Sequence, residues 1–327
     1  MSDALLLVRD LHVHFPLGRG LLGGSAGSVR AIDGVSLELK AGETLGIVGE
    51  SGCGKSTLGR AILRLIKPTS GNVVWLGRDL HGLDAATLRK ERRNMQIIFQ
   101  DPLASLDPRM TVGKIIARPL KTFEPGLGRA ETDQRVMAAM REVGLAPEML
   151  RRYPHEFSGG QCQRIGIARA MILRPKLVVC DEPVSALDVS IQAQIINLLR
   201  RLQRENDLAL LFISHNLSVV RHISHRVLVL YLGRVMEVAE RDAFYARPLH
   251  PYSQALISAI PVPDPKQERS RQRIVLQGDL PSPLNPPQGC RFCTRCPRAT
   301  DLCHREEPAL TDHAGGHLVA CHYAGEV

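Results

Sequence analysis

The nine residues GESGCGKST, at positions 49–57, have the types and spacing that bind phosphate groups. They match the pattern G-x-x-x-x-G-K-[ST] and lie between an apolar run and a helical pattern, STLGRAILRLI. Glycines let the backbone wrap closely around a phosphate, and amides at a helix N-terminus point at the anion. Lys55 is predicted to contact the β- and γ-phosphates of a nucleotide, Ser56 to hold Mg²⁺, and Thr57 to add a phosphate contact. The predicted nucleotide-binding residues of this phosphate loop are Gly49, Ser51, Gly52, Cys53, Gly54, Lys55, Ser56 and Thr57.

Two adjacent carboxylates, Asp181 and Glu182, end another apolar run. Asp181 is predicted to hold Mg²⁺ through water, and Glu182 to be the base that polarises an attacking water molecule. A base for water, with no evident site for an alcohol, favours an ATPase over a kinase. Gln100 and His215 follow two further apolar runs. Both are predicted to reach the γ-phosphate, and Gln100 is also predicted to be an Mg²⁺ ligand.

The elements that must position these side chains follow from the hydrophobic pattern. From Ala4 to about Arg247, short apolar runs alternate with longer helical patterns, which is typical of an α/β layer fold. The runs LGIVGE (45–50), LVVCDE (177–182) and LALLFISH (208–215) predict buried parallel strands, because they are apolar throughout. Since ligands of open α/β sheets lie beyond the carboxyl ends of the strands, we expect the ends of these three strands to converge on one site.

Composition and charge limit the class of protein. With 327 residues, 44% of them apolar and 23% charged, the chain suits one large globular domain and a smaller one. Its longest apolar runs, LALLFI and VLVLYL, fall far below the roughly 20 residues of a membrane helix, and its start lacks the basic region of a signal peptide. We therefore expect a cytosolic protein with reduced thiols. The net charge of +9 is scattered, which favours a solvated basic surface over a nucleic-acid or membrane site.

The last part of the chain, residues 290–327, is the cysteine segment. It follows a proline-rich stretch, 261–287, which predicts an extended linker or a non-regular cover. The segment has few aliphatic residues, so we expect a metal to stabilise it, because the cytosol disfavours disulfides. Thiolates select zinc or an iron–sulfur cluster, and the residues alone leave both open. Five of the eight cysteines of the chain lie here, namely Cys290, Cys293, Cys296, Cys303 and Cys321.

A zinc knuckle prefers two close pairs of ligands, and only one such pair is present among the five cysteines. The histidines near these cysteines, and the cysteines outside the segment, are interpreted as structural residues. The histidines of the segment are predicted to be surface residues, namely His304, His313, His317 and His322. The other cysteines are predicted to be small buried or loop residues, namely Cys53, Cys162 and Cys180.

The stretch HEFSGGQCQRIGIARAMILRPKLVVCDEPVSALD (155–188) resembles the nucleotide-binding subunits of ABC transporters. The resemblance implies an α/β fold of the ABC-type P-loop ATPase class, with a RecA-like core, an antiparallel β subdomain and a helical subdomain. It also implies that two such domains face head to tail, so that the signature residues of one touch the ATP of the other. Those residues are Ser158, Gly159, Gly160 and Gln161, with Asp188 at the end of the loop SALD. Phe15 occupies the position where the family stacks an aromatic ring on adenine.

Three further stretches resemble the ATPases of the oligopeptide/dipeptide importer branch: QDPLASLDPRMTVG (100–113), DEPVSALDVSIQAQIINLL (181–199) and HPYSQALISAIPVPDP (250–265). The resemblance implies an ATPase domain at 1–247, with a helical subdomain at about 101–165, and a C-terminal extension at 248–327. The implied partners are two transmembrane permease subunits, a paralogous ATPase subunit and, indirectly, an extracytoplasmic substrate-binding protein, without nucleic acid. The implied location is peripheral, on the cytoplasmic face of the inner membrane. Cys162 departs from the branch pattern, and we expect it to alter reactivity or rate before binding.

The same branch has a similar cysteine tail, in which four of the five cysteines recur. The resemblance favours a small Cys-rich extension that binds a [4Fe-4S] cluster. Zn²⁺ is the alternative, and cysteines without a metal come third. The implied ligands are Cys290, Cys296, Cys303 and Cys321, and Cys293 is left out. The favoured function is the ATPase subunit of a peptide importer. The alternative is a soluble ABC-type ATPase that acts on nucleic acid or is regulated by a metal or redox state.

Overall fold

The computed structural model describes residues 4–17, 27–261, 264, 273–279, 281–313 and 315–325. Apart from Met1, the chain divides into two compact units. Unit one comprises 40–44 and 82–213, and unit two comprises 2–39, 45–81 and 214–327. No helix among the described residues has the length and hydrophobicity that crossing a membrane requires.

Strands and helices alternate along most of the chain, as the hydrophobic pattern predicts. In chain order, the strands of the described residues are β1 (Ala4–Pro16), β2 (Ser28–Lys40), β3 (Thr44–Val48), β4 (Ser70–Trp75), β5 (Arg78–Asp79), β6 (Met95–Ile98), β7 (Leu177–Asp181), β8 (Ala209–Ile213), β9 (Arg226–Tyr231), β10 (Arg234–Glu240), β11 (Thr311–Asp312) and β12 (Leu318–Val319). The α-helices are α1 (Lys55–Ile62), α2 (Ala85–Glu91), α3 (Val112–Phe123), α4 (Arg129–Glu142), α5 (Gly159–Met171), α6 (Val189–Glu205), α7 (Leu217–Ile223), α8 (Arg241–Ala246), α9 (Pro251–Ser258) and α10 (Asp301–Arg305).

Unit one contains three parallel strands in the order β6-β7-β8. Every residue of β7 and β8 is buried, which confirms the prediction from their continuous apolar runs. The registers pair Ile98 with Cys180 and Asp181 with Ile213, so the strands end at the same edge. Polar residues that follow β6 and β7 are therefore brought to that edge of the unit.

A group of helices completes unit one. Helix α3 packs against both α4 and α5, and α4 packs against α5. The face of α3 that is buried carries Val112, Ile115, Ile116 and Leu120 at the spacing of one helical stripe. Helices α3 and α4 lie within the stretch predicted as a helical subdomain, about 101–165, whereas α5 begins within it and extends to Met171. The boundaries of that subdomain and the domain boundary at residue 247 stay predictions.

Unit two contains two sets of strands. One is a four-stranded sheet in the order β2-β1-β4-β5, with β4 antiparallel to both β1 and β5. In the other, β3 runs parallel to β9, while β9, β10, β12 and β11 pair antiparallel in that order. Strand β3 is buried throughout, which confirms the third predicted buried strand. The four-stranded sheet corresponds to the antiparallel β part expected for the fold.

The cysteine segment joins the core of unit two. Its strand β12 pairs with β10, so that Val319 lies opposite Glu237. Phe292 is fully buried, and its ring lies 5.4 Å from that of Tyr231 and 5.3 Å from that of Tyr252, measured between centroids. The segment has few aliphatic residues of its own, but it gains burial from aromatic side chains that precede it in the chain. Packing of the cysteine segment against the rest of unit two therefore supplies part of the stabilisation that we expected from a metal.

The proline-rich stretch is only partly described. Residues 262–263, 265–272 and 280 lie outside the described residues, and with them most of the basic part of the stretch. The described positions 273–279 and 281–288 contain neither a helix nor a strand. These positions therefore match the prediction of non-regular backbone.

Candidate functional site

The phosphate loop connects β3 to α1 in unit two, and its backbone requires glycine. Gly49, Gly52 and Gly54 have φ angles of +152°, +80° and +109°. A Cβ atom on Gly49 would lie 2.1 Å from the Leu230 carbonyl oxygen, and one on Gly54 would lie 2.3 Å from the Ala31 carbonyl oxygen. Only glycine satisfies both the positive φ and the close approach of a neighbouring strand. The loop is therefore held in one shape by the backbone that surrounds it.

Lys55 is the first residue of α1, and its side chain turns back into the loop. Its Nζ donates to the carbonyl oxygens of Gly49 and Glu50, both at 2.8 Å, although the residue is only 5% exposed. The ammonium group thus lies beside the N-terminus of a helix, where the helix dipole also favours an anion. Ser56 and Thr57 follow in the first turn and are half-buried.

The other residues of the loop differ in exposure. Ser51 and Gly52 are exposed, whereas the Cys53 side chain is 1% exposed. Burial raises the pKa of the Cys53 thiol, and the Lys55 ammonium opposes this shift. The thiol is therefore neutral at physiological pH, and because its side chain is buried, the backbone amide is the group of Cys53 best placed to contact a phosphate.

The two adjacent carboxylates, Asp181 as the last residue of β7 and Glu182 directly after it, lie in different environments. Asp181 is 1% exposed, whereas Glu182 is half-buried and has a φ angle of +47°. A non-glycine residue in this left-handed region is strained, and such strain is concentrated at functional sites. The Glu182 N–H donates to the Ile213 carbonyl at 3.0 Å, which ties this backbone to the end of β8. The positive φ has no signal in the sequence.

Gln100 and Glu182 are brought together, although 82 positions separate them. Nε2 of Gln100 donates to Oε2 of Glu182 at 3.3 Å. Both residues follow parallel strands, β6 and β7, that end at the same edge, and this shared edge brings them together. This hydrogen bond restricts the orientation of the Glu182 carboxylate.

The predicted signature residues begin α5 in unit one. Ser158 is the N-cap, its N–H donates to Oε1 of Gln161 at 3.0 Å, and its Oγ accepts from the Gln161 N–H at 3.4 Å. This reciprocal capping box leaves the start of a 13-residue helix ordered and exposed. A Cβ atom on Gly160 would lie 2.6 Å from Cγ2 of Ile191, so α6 approaches this turn closely. The N-terminus of α5 can therefore receive an anion from outside the unit.

Asp188 and Val189 lie at the start of the neighbouring helix, α6. Asp188 is its N-cap and is exposed, and Val189 is 81% exposed. Cys162, one turn into α5, is fully buried, and burial raises the pKa of its thiol. This protonated thiol has low nucleophilicity, so the structure supports the packing role of Cys162 more than the altered reactivity we expected.

Two predicted site residues lie elsewhere in unit two. Phe15 is near the end of β1, and 41% of it is exposed. This leaves its ring available for stacking. His215 is exposed and directly precedes Asn216, whose Oδ1 accepts from the N–H groups of Ser218 and Val219 and caps α7. The cap holds the backbone next to His215 in place.

The five cysteines of the cysteine segment line one cavity, together with Phe292 and Tyr323. Burial raises the pKa of the Cys290 thiol to about 12, and it also raises the pKa values of Cys293, Cys296 and Cys321. Without a bound metal these four thiols are therefore protonated. Cys293 lines the same cavity as the four predicted ligands, so the structure does not set it apart.

The spacing of the five cysteine sulfurs can be compared with the spacing that a zinc ion requires. Four thiolates at 2.3 Å from a tetrahedral zinc ion lie about 3.8 Å from one another. Among the described residues, the only group that brings three candidate ligand atoms within 4.8 Å of one another is His12, His14 and Asp33. The sulfurs of the cysteine segment are thus spaced more widely than a zinc site requires. The five cysteines share the lining of one cavity, but in this conformation they do not form a compact tetrahedral zinc site.

The group of His12, His14 and Asp33 was missed by sequence reasoning, because its members lie on β1 and β2. Oδ1 of Asp33 lies 3.1 Å from Nδ1 of His12 and 2.9 Å from Nε2 of His14. Its other oxygen accepts from the buried Arg291 and lies 3.8 Å from Arg234. Burial raises the pKa of Asp33, but hydrogen bonds from the histidines and the nearby guanidinium groups outweigh it, and the net shift is downward. The guanidinium groups neutralise this carboxylate, so the group is an ion-pair network rather than a cation site.

One prediction about the histidines is wrong. His317 is 9% exposed, and its Nε2 lies 2.6 Å from Oε1 of Glu237, which is fully buried in β10. A buried carboxylate requires a partner, and the sequence does not show that Glu237 is buried. His304 and His313 are exposed, as predicted. His322 is half-buried, and its Nε2 donates to the Glu306 carbonyl at 3.0 Å.

Comparison with known proteins gives two family matches. Residues 32–185 match the family described as ABC transporter, and residues 236–303 match the family described as oligopeptide/dipeptide transporter, C-terminal region. The second match includes the first part of the cysteine segment.

Individual relatives match over nearly the whole chain. The oligopeptide transport ATP-binding protein OppF of Salmonella typhimurium is 57% identical over 319 residues, which are 97% of this chain and 95% of that protein. The oligopeptide transport ATP-binding protein AppF of Bacillus subtilis is 54% identical over 322 residues, 98% of each chain. Among solved structures, the dimeric, post-hydrolysis ATP-binding cassette MJ0796 bound to ADP and Pi aligns with a TM-score of 0.65 and 28% identity, over 72% of this chain and 98% of that one.

Proposed function

The chain belongs to the ABC transporter family of ATP-binding proteins, and from that premise we propose that it is the ATPase subunit of a transporter that imports di- and oligopeptides. The observation that carries the proposal is the match of almost the full length to relatives named for oligopeptide transport, at up to 57% identity. The match of residues 236–303 to the C-terminal region of that branch supports the peptide class of cargo. The comparisons give no support to the nucleic-acid or redox-regulated alternative.

The phosphate loop is the proposed binding site for ATP. Lys55 and the amides at the start of α1 would bind the β- and γ-phosphates, and the ring of Phe15 would stack on adenine. The hydroxyl of Ser56, the amide oxygen of Gln100 and, through water, Asp181 fit the oxygen ligands that Mg²⁺ prefers. The ion would neutralise charge that develops on the phosphate oxygens.

Glu182 is the proposed general base. It would accept the proton of a water molecule whose oxygen forms a bond to the γ-phosphorus, while the bond to the bridging oxygen breaks and ADP leaves with that electron pair. The hydrogen bond from Gln100 supports this role, since it fixes the orientation of the carboxylate. His215 is the proposed second contact to the γ-phosphate.

A second ATPase subunit, a paralogue of this one, would complete the site. The N-terminus of α5 is exposed, so Ser158, Gly159, Gly160 and Gln161 would contact the nucleotide that the other subunit binds. Val189, 81% exposed, lies beside Asp188 at the start of α6, and an apolar side chain in this position suits a contact surface. Closure of the two subunits on ATP and reopening after hydrolysis would drive the transport cycle.

Two permease subunits in the membrane are the proposed partners of this pair, and a substrate-binding protein outside would deliver the peptide to them. The chain would then be peripheral, on the cytoplasmic face of the inner membrane. The helices between Gln100 and Ser158 would dock on the permeases, and Gln100 would couple that docking to the γ-phosphate.

The variant Glu182→Gln tests both the catalytic assignment and the transport function. Its kcat for ATP hydrolysis should fall about 10²- to 10⁴-fold, because the amide cannot accept the proton, while ATP stays bound. Peptide uptake by cells that depend on this subunit should fall in parallel. The matched control is Glu205→Gln in the same unit, where an exposed carboxylate pairs with Arg201 on the surface of α6.

Either of two results would reject the proposal. If tagged wild-type protein never co-purifies with permease subunits from detergent-solubilised membranes, it is not a transporter subunit. If Glu182→Gln hydrolyses ATP at the wild-type rate, another residue is the base.

A [4Fe-4S] cluster is the proposed occupant of the cysteine cavity, with Zn²⁺ as the alternative. Cys290, Cys296, Cys303 and Cys321 would bind it as thiolates, and the cluster would link parts of the segment that share few aliphatic contacts. The position of all five cysteines around one cavity supports it. Protein prepared without oxygen should contain iron and acid-labile sulfide, Cys303→Ser should lose both, and Cys293→Ser should keep them. Stoichiometric zinc without iron would reject the cluster.

A further inference from the structure

An ion pair joins the cysteine segment to the phosphate loop. Nη1 of Arg295, which lies between Cys293 and Cys296, donates to Oε2 of Glu50 at 2.7 Å. The side chains are 11% and 29% exposed, so solvent screens the pair only in part. Glu50 is the second residue of the loop GESGCGKST, and 245 positions separate it from Arg295.

Glu50 is held through its main chain as well. Its N–H donates to the hydroxyl oxygen of Tyr252 at 2.9 Å, and its carbonyl oxygen accepts from Nζ of Lys55 at 2.8 Å. The carboxylate, the amide and the carbonyl of this one residue thus each have a partner. Two of the three partners, Arg295 and Tyr252, come from the last 80 residues of the chain.

Arg295 is itself firmly supported. Its N–H donates to the Phe292 carbonyl at 3.0 Å, in a turn of the cysteine segment. The Phe292 ring packs on Tyr231 and Tyr252, and these two rings lie 4.8 Å apart, with all three residues fully buried. Because the backbone that carries Arg295 is already held in this way, its guanidinium loses little further conformational entropy when it pairs with a carboxylate.

The charges of Arg295 and Glu50 suggest what this contact does at the phosphate loop. A nucleotide brings several negative charges to the phosphate loop, and the carboxylate of Glu50, within that loop, repels them. We propose that Arg295 is a positioning residue of the ATP site, which neutralises the charge of Glu50 so that the loop can accept a polyphosphate. The inference rests on the proposed function, since it assumes that the loop binds ATP.

The decisive experiment compares Mg-ATP affinity in single and double variants of the full-length protein. Arg295→Met should raise the Kd about three- to tenfold, because the carboxylate of Glu50 is left without its counter-charge. Glu50→Gln alone should leave the Kd within about twofold of wild type, and the double variant should return to near the wild-type value. This rescue distinguishes a charge effect from simple damage to the fold, which a second substitution would not repair.

Steady-state kinetics of ATP hydrolysis provide an independent test of the role of Arg295. Arg295→Met should raise KM for ATP with little change in kcat, since Arg295 does not contact the reacting atoms in this proposal. The matched control is Arg305→Met, which removes an exposed arginine from the same segment and should leave Kd unchanged. If Arg295→Met does not fold, Arg295→Lys replaces it, with an expected two- to threefold rise in Kd that Glu50→Gln abolishes.

Several outcomes would overturn the inference. They are an unchanged Kd in both Arg295 variants, a double variant as weak as Arg295→Met, or an equal loss with Arg305→Met. A wild-type protein that does not bind Mg-ATP at all would instead reject the proposed function, so the two failures are distinguishable.

Discussion

The phosphate loop and the cysteine segment belong to the same unit but acquire their geometry in different ways. In the loop, glycines and one lysine lie next to one another in the sequence, and each has a conformation that its own type permits. In the cysteine segment, the buried residues depend on partners far away in the chain, such as Tyr231 and Glu237. The first region is therefore recognisable as a motif, whereas the second is defined by its contacts.

The largest expected effect concerns the packing of the cysteine segment. Phe292→Ala should lower the free energy of unfolding by about 3 to 5 kcal/mol, because a fully buried ring is removed from between two tyrosines. Denaturant titration followed by circular dichroism measures this change. Leu310→Ala, at a residue of the same segment that is 36% exposed, is the control and should cost less than about 1 kcal/mol. Equal effects of the two variants would show that the segment is not held by its aromatic contacts.

A smaller loss of stability is expected from substitutions in the phosphate loop. Two of them separate the cost of a positive φ from the cost of a steric clash with a neighbouring backbone. At Gly54, alanine meets both a positive φ and a carbonyl oxygen 2.3 Å from its Cβ, so Gly54→Ala should cost about 2 to 3 kcal/mol. At Gly52, the φ is positive but no atom lies within 4 Å of the Cβ, so Gly52→Ala should cost only about 1 kcal/mol. Thermal unfolding of both variants tests the difference. Were the two costs the same, close approach of the backbone would have no part in shaping the loop.

The smallest effect is a dependence of stability on pH that originates beside the cysteine segment. Burial lowers the pKa of His250 to about 4, although the Glu237 carboxylate opposes this shift, and Nδ1 of His250 accepts from the Tyr252 N–H at 3.0 Å. The unfolded chain binds a proton at this histidine below about pH 6.5, whereas the folded chain does not until about pH 4. Stability should therefore fall as the pH falls through this window, by about 2 kcal/mol between pH 6.5 and 4.5.

The variant His250→Asn keeps a side-chain acceptor for the Tyr252 N–H but does not titrate, so it should flatten this dependence. His304→Gln, at an exposed histidine, is the control and should leave the dependence as in wild type. Urea unfolding at several pH values provides the measurement. A slope that persists in His250→Asn would assign the effect to other groups.

The buried strands β3, β7 and β8 follow from their apolar runs, and the meeting of Gln100 with Glu182 follows from parallel strands that end together. The sequence did not show the positive φ of Glu182, because this conformation depends on the hydrogen bond to the end of β8. It also misassigned His317, whose partner Glu237 is buried only once β10 and β12 pair.

By itself the sequence determined the phosphate loop, the signature turn and the carboxylates at a strand end, because adjacent residue types specify local backbone geometry. Tertiary structure alone decided that Arg295 pairs with Glu50 and that Phe292 enters the core of unit two. The physical reason is distance along the chain. Contacts between residues tens to hundreds of positions apart depend on how the elements between them pack, and no short pattern records that packing.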